Sequence, residues 1–183
     1  MNTPAVKFCS SCGAAVRLEI PAGDNRERHV CTQCATIHYH NPRIITGCLP
    51  VFEDKVLLCK RAIEPRLGFW TLPAGFLELG ESVAEGAARE TDEEAGAQVK
   101  MGELYCMFNL PHIGQVYMMY LAQLTEPVFA SHTEESLAIQ LFREDEIPWR
   151  ELAFRTIWRT LHHYYADQKS GQFSLHVEDI GPM

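Results

Sequence analysis

No run of apolar residues in this chain is long enough to cross a bilayer. The longest nearly unbroken one, Val116 to Leu124, falls well short of the roughly 20 residues a spanning helix needs and reads as a buried strand. The N-terminal stretch MNTPAVKFCSSCG lacks the apolar segment of a secretory signal. There is no internal repeat of solenoid period and no low-complexity tract, so repeat arrays are excluded. Basic residues are scarce. The 16 Lys+Arg face 24 Asp+Glu, a formal charge of −8, the opposite of the basic face a non-specific duplex-DNA binder needs. Cysteine is plentiful, but its seven residues are odd in number and four fall in two CxxC pairs. That favours bound metal in a reducing, cytoplasmic setting over a disulfide framework. The 183 residues, 46% hydrophobic and 22% charged, suit one globular domain with a small appendage.

The charge is unevenly placed. Residues 1–43 carry five basic and three acidic residues, whereas Glu78–Glu94 holds seven acidic residues against Arg89 alone. Asn41-Pro42 is a turn signal that places a boundary near residue 41, dividing the chain into a 1–40 module and a 41–183 domain. In the latter, Arg43–Phe52 and Lys55–Arg61 read as a hairpin about Glu53-Asp54. Gly68–Gly80 reads as irregular. Ser82–Ala95 reads as a helix, with Ser82 and Glu85 as a capping box and Gly96 as its left-handed stop. Tyr105–Leu110, Gln115–Leu124 and Ala138–Phe142 are strand-like, and Trp149–Gln168 has helical spacing. Strands mixed with two helices predict an α/β or α+β domain with a mixed sheet.

Cys9-x2-Cys12 and Cys31-x2-Cys34 are eighteen residues apart, the spacing of a four-cysteine zinc ribbon. Zn²⁺ takes four thiolates in a tetrahedron, and each tight CxxC turn supplies two. Pro21–Asn25 offers the turn that brings the pairs together. His38 and His40 are near enough to compete, but a closed four-thiolate site does not need them, and such a site is structural. Cys48, Cys59 and Cys106 sit in apolar runs and are expected to be inert core thiols.

On the acidic helix Glu90, Glu93 and Glu94 fall within roughly 100° of arc, beside a face of Ala84, Ala88, Thr91 and Ala95 suited to packing on a sheet. Like charges four apart destabilise a helix by about 0.2–0.5 kcal/mol per pair. Geometry alone leaves two readings: a solvated acidic face, or a site for a hard divalent cation that reverses the sign of that repulsion.

Residues 75–97, GFLELGESVAEGAARETDEEAGA, contain Gly75, Glu81, Arg89-Glu90, Glu93-Glu94 and Gly96 at fixed spacing. The pattern resembles the signature of the Nudix hydrolases at all seven fixed positions, a coincidence on the order of 10⁻⁹ per start point from average residue usage. Thr91 and Ala97 replace bulky aliphatic residues of that signature. The likeness extends over most of residues 43–165. It implies an α/β/α sandwich and Mg²⁺- or Mn²⁺-dependent hydrolysis of a nucleoside diphosphate linked to another group. It also implies Glu90, Glu94, Glu93 and the Ala74 carbonyl as metal ligands, and an Arg89–Glu81 pair that fixes loop to helix. The general base would be Glu93 or a later glutamate, Glu135 or Glu134. Homodimerisation is common among Nudix proteins.

A ribbon ahead of such a domain resembles the NADH pyrophosphatase branch. That branch carries a Ser-Gln-Pro-Trp-Pro-Phe-Pro array where this chain reads Tyr105–Gln115 without it. The wording of the chain is closer to zinc-ribbon Nudix proteins that hydrolyse FAD and ADP-ribose. The leading expectation is therefore cleavage of FAD or ADP-ribose to AMP plus FMN or ribose 5-phosphate, ahead of NADH/NAD pyrophosphatase or RNA-cap hydrolase. Phe69 and Trp70 are candidates to stack on the substrate ring, and at most one of Tyr117 and Tyr120 would face it. A non-enzyme alternative is an RNA-binding or regulatory ribbon, although four thiolates and one Zn²⁺ bring its charge close to zero and argue against a nucleic-acid partner.

Overall fold

In the computed structural model, which describes residues 6–182, the chain divides after Pro42 into two units. The first carries an antiparallel sheet of β1 (Val16–Glu19), β2 (Arg28–Cys31) and β3 (Ile37–His38), in that order. Its first turn closes where the Asp24 N–H donates to the Pro21 carbonyl at 3.0 Å. The Asp24 carboxylate then accepts from Arg28 Nε at 2.9 Å, tying turn to strand. The unit has almost no apolar interior: among its described residues only Cys9, Val30 and Cys31 are buried.

The second unit comprises β4 (Arg43–Phe52), β5 (Lys55–Arg61), β6 (Trp70–Thr71), β7 (Ala74–Phe76), α1 (Val83–Ala95), β8 (Val99–Leu110), β9 (Gln115–Leu124), β10 (Ser136–Phe142), α2 (Arg155–Ser170) and β11 (His176–Asp179). The sheet runs β10-β5-β4-β9-β8-β11, with β6 on β5 and β7 on β4. Two pairs, β4/β9 and β8/β11, are parallel and the rest antiparallel, so the sheet is mixed as expected.

Strand alternation sorts the side chains into two layers. Leu49, Val56, Leu58, Phe108 and Met119 pack with Ile157, Leu161, Tyr164 and Tyr165 of α2. Their strand neighbours Leu57, Cys59 and Leu124 pack with Ala95 at the end of α1, and Cys48 and Ala122 pack with Ala87. The result is the helix–sheet–helix sandwich that the resemblance implied. Helix α1 has the expected capping box, and Gly96 closes it at φ 58° with its N–H on the Asp92 carbonyl. Its buried face differs from the expected one. Ala87 and Thr91 are fully buried, Ala84 and Ala88 only partly, and Glu90 and Glu94 lie within the buried set.

The β4–β5 hairpin pairs only at its closed end, Val51 with Val56 and Phe52 with Lys55. Beyond that the strands part, and the stretch expected to be irregular supplies β6 to one and β7 to the other. The helix expected from Trp149 is broken. A 3-10 turn, Trp149–Glu151, precedes α2, because the Ala153 N–H donates to the Trp70 carbonyl at 2.8 Å and Leu152 bridges to Trp70. Strand β8 starts at Val99, six residues ahead of expectation, with bulges between Met101 and Cys106 that hide its period. Strand β11 is short and largely exposed, and left no apolar signal.

Candidate active site and metal centres

The four ribbon cysteines converge with all Sγ atoms within 4.8 Å of one another. Cys9 and Cys34 Sγ are 3.6 Å apart, and Cys12 and Cys31 Sγ 3.4 Å. A tetrahedral zinc site with ~2.3 Å metal–sulfur bonds has edges of about 3.8 Å, so the set fits that ion. Backbone N–H groups of Ser11, Gln33 and Cys34 point at Cys9 and Cys31 Sγ, each at 3.4 Å, as donors to thiolates would. Burial pushes the Cys9 thiol up, but the Ser11 and Cys12 amides with His38 outweigh it and bring it down to about 5. The other three cysteines are buried in the sheet, and desolvation raises Cys48 to about 11 and Cys106 to about 12. They are inert core thiols, as expected.

In the second unit a cavity of about 970 Å³ is walled by β5, β7, α1, the end of β8 and the start of α2. Helix α1 sends Glu90, Glu93 and Glu94 into it, and the loop before β10 contributes Glu135. Glu90 is 8% and Glu94 5% exposed. The Ala74 N–H donates to Glu94 Oε2 at 3.2 Å, so it is the amide of Ala74 whose contact with the acidic set is seen here. Burial pushes Glu94 up to about 8, with Glu90 and Glu135 adding to the rise against Ala74 and Arg61. Burial likewise lifts Glu90 above the ordinary carboxylate range against the pull of Arg89. Burial thus penalises the charge of two neighbouring carboxylates, a penalty that a hard divalent cation bound between their ionised forms would relieve.

Arg89 organises this group. Its Nε and Nη2 grip both oxygens of Glu81 at 3.0 and 2.8 Å. Its Nη1 donates to Glu90 at 2.8 Å and Glu93 at 2.9 Å, and Nη2 reaches the Phe76 carbonyl at 3.2 Å. Glu81, which also accepts the Glu78 N–H, is held near 2 by that guanidinium. Loop and helix are thereby clamped through one cation.

Gly75 completes the cradle. A Cβ there would fall on the Glu90 carboxylate. Gly75→Ala should displace a flexible side-chain end and leave the core alone. Its expected signature is about a 10²-fold loss of kcat/KM, the scale of a misplacement near 1 Å, with thermal melting in EDTA unchanged. Mg²⁺ titrations of both proteins would check it.

Of the two expected stacking residues only Phe69 lines the cavity, where Arg66 lies over its ring at 5.4 Å. Trp70 is corrected to a core residue. It is 8% exposed and packs edge-on against Phe142, because β6 pairs with β5 and turns its indole into the α2 layer. Tyr117 lines the cavity, whereas Tyr120 packs on the α1 side. Of Glu134 and Glu135 it is Glu135 that faces the carboxylates. Residue patterning missed Arg61, Thr156 and His112, which also line the cavity. Thr156 Oγ1 and His112 Nδ1 are buried there without partners. Arg61 ends an apolar strand run, and nothing in that run marks it.

Residues 41–168 match the family described as NUDIX domain, and residues 7–40 the zinc ribbon described as Nudix N-terminal. A protein of Photobacterium profundum named NAD-capped RNA hydrolase NudC is 40% identical over 96 residues, covering 51% of this chain and 33% of that protein. The NudC of Pseudomonas aeruginosa is 30% identical over 169 residues, covering 90% of this chain and 57% of that protein. The chain thus spans between a third and somewhat over half the length of these curated relatives. A NUDIX hydrolase from Nitrosomonas europaea superposes with TM-score 0.93 at 51% identity, over 97% of this chain and 100% of that one. An ADP-ribose pyrophosphatase from Streptococcus suis, at 21% identity and TM-score 0.57 over 76% of this chain and 100% of that one, shares the fold alone.

Proposed function

Starting from a chain that belongs to the Nudix family, a Nudix hydrolase preceded by a zinc ribbon, we propose that it cleaves the pyrophosphate of a dinucleotide built on adenosine diphosphate, with NADH, NAD and the NAD cap of RNA as the first candidates. The observation that carries this reading is the set of buried carboxylates, Glu90 and Glu94 beside Glu135, opening on a cavity large enough for such a ligand. The names of the NudC relatives favour the nicotinamide substrates. The sequence-based preference for FAD or ADP-ribose becomes the second reading. It keeps one specific support: Leu110, His112, Ile113 and Gln115, from the stretch that lacks the array of the NADH branch, line the cavity wall.

Glu90 and Glu94 would hold a divalent cation, Mg²⁺ or Mn²⁺, with Glu93 at the edge of the set. When bound, the cation neutralises pyrophosphate charge and lowers the pKa of water. Arg89 orients Glu90 and Glu93 and fixes the loop through Glu81. Glu93 is engaged by Arg89 Nη1, whereas Glu135 takes part in no salt bridge among the described residues, which leaves Glu135 the better placed general base. A water oxygen attacks one phosphorus, its proton passes to Glu135, and the bridging P–O bond breaks to release AMP and the other nucleotide. Among the described residues no helix is long and apolar enough to cross a membrane, and a four-thiolate cluster with three buried thiols suits a reducing cytoplasm.

Incubation with NADH, NAD, NAD-capped RNA, FAD and ADP-ribose, each with Mg²⁺ or Mn²⁺ and with products identified, tests the reading. AMP is expected together with nicotinamide mononucleotide from NAD, or with its reduced form from NADH. Faster turnover of FAD or ADP-ribose by tenfold or more would transfer the assignment to the second reading. Failure to cut any of the five would end both.

A further inference from the structure

Arg61 closes β5 with a guanidinium that the fold buries and does not pair. The residue is 9% exposed and lines the cavity. Its Nε donates to the Pro65 carbonyl at 2.8 Å, and its guanidinium carbon lies 5.2 Å over the Phe154 ring. Among the described residues its two terminal nitrogens take part in no hydrogen bond and no salt bridge, which leaves both uncommitted beside the cavity that the residue lines. The other arginines of that wall differ. Arg89 is engaged by three glutamates, Arg155 donates to the Gly181 carbonyl, and Arg66 and Arg150 are exposed. A largely buried guanidinium with two uncommitted donor groups beside a cavity suits an anion that enters it.

The partner's chemistry follows from where Arg61 sits. Its register mate across the strand pair is Ser136, next to Glu135, and the Ala62 N–H donates to the Glu135 carbonyl at 2.8 Å. Backbone bonds to Phe69 and Gly68, each 2.9 Å, lock the turn that follows. The Arg61 backbone is thus fixed next to that of the general-base candidate, both residues line the cavity, and the Arg61 charge reaches Glu94 and Tyr117. A planar fork of donors facing a cavity that receives a pyrophosphate matches phosphate oxygens.

We propose that Arg61 binds a phosphate of the substrate directly through its terminal nitrogens and so belongs to the substrate-binding set. The proposal rests on the hydrolase reading above. It gives the cavity two separate devices for one dianionic group: carboxylates acting through a cation, and a guanidinium acting by itself. A purely structural Arg61 would brace Pro65 and Phe154 and be indifferent to phosphate.

The test measures, by calorimetry at one fixed Mg²⁺ concentration, the affinities of AMP and adenosine for the full chain and for Arg61→Gln and Arg61→Lys, alongside NADH and ADP-ribose hydrolysis. Loss of a charge-assisted phosphate contact should lower AMP affinity about 10- to 100-fold in Arg61→Gln while adenosine affinity holds. Arg61→Lys, which keeps a point charge without the fork, should recover part of the AMP preference. Equal losses for AMP and adenosine would mark a structural role and overturn the assignment, as would an Arg61→Gln that keeps the AMP preference. In either case wild-type turnover leaves the hydrolase reading standing. A wild type that cleaves no dinucleotide and does not distinguish AMP from adenosine overturns both. Should Arg61→Gln melt early, Arg61→Lys and Arg61→Met replace it: an AMP preference kept at least in part by lysine and lost with methionine supports phosphate binding, and any other pattern refutes it.

Discussion

Glu94→Gln is expected to lower kcat by about 10²–10³-fold, the scale of losing one group that stabilises developing charge, without lowering stability. Glutamine keeps the volume of the side chain and an oxygen to accept the Ala74 N–H, but carries no charge to hold a cation. Glu94 is 5% exposed and sits beside Glu90. Without metal its ionised form is a burden on the fold, since burying a charge is costly. Melting in EDTA should therefore be unchanged or slightly higher in the variant, while the Mg²⁺ dependence of the rate flattens. Glu93→Gln is the control. Its side chain is 59% exposed and bound by Arg89, and a smaller loss is expected. Turnover by Glu94→Gln at the wild-type rate under saturating Mg²⁺ would remove Glu94 from the metal set.

Stripping the ribbon metal should unfold residues 7–40 and spare the rest. A sheet of ten strand residues whose buried set is Cys9, Val30 and Cys31 cannot offset its own conformational entropy. Structural Zn²⁺ contributes roughly 10–16 kcal/mol in such peptides, which exceeds anything the apolar contacts of this unit supply. After chelation, hydrogen exchange read by mass spectrometry should show β1–β3 fully exchanged and β4, β5 and β9 as protected as before. Cys9→Ser and Cys31→Ser should give the same pattern without chelator. Retained protection in β2 after verified zinc loss would refute a metal-built core.

Much of this was legible in the residue order, for physical reasons that differ by element. The cysteine set and the capping box of α1 are local: their partners lie within a few residues or a fixed loop, so spacing alone specifies them. The β4–β5 hairpin was legible because its apolar runs flank an acidic turn. What escaped depends on distant pairing. Trp70 reads from the residues either as a substrate platform or as a core aromatic beside the Pro73 turn, and the choice is decided by β5, whose Lys60 it pairs with. The break before α2 arises from a hydrogen bond between residues 83 positions apart, Ala153 and Trp70, and no periodicity encodes it. In the site, the motif marked Glu81, Arg89, Glu90, Glu93 and Glu94, whereas Arg61 became visible only when burial separated it from the exposed arginines.

The splayed hairpin has a kinetic meaning. Helix α1 can wind early, since its cap and its turns involve neighbours in sequence. The backbone amide of Ala74 and the bare backbone of Gly75, by contrast, are placed by β7 on β4, and β4 itself is held by β9, Arg43 against Gln115 and onward. Contacts that distant in sequence form slowly. On the metal-site reading, the carboxylates would exist as a helix face before they exist as a cage, and cation affinity would follow the long-range pairing of the sheet and not the winding of the helix.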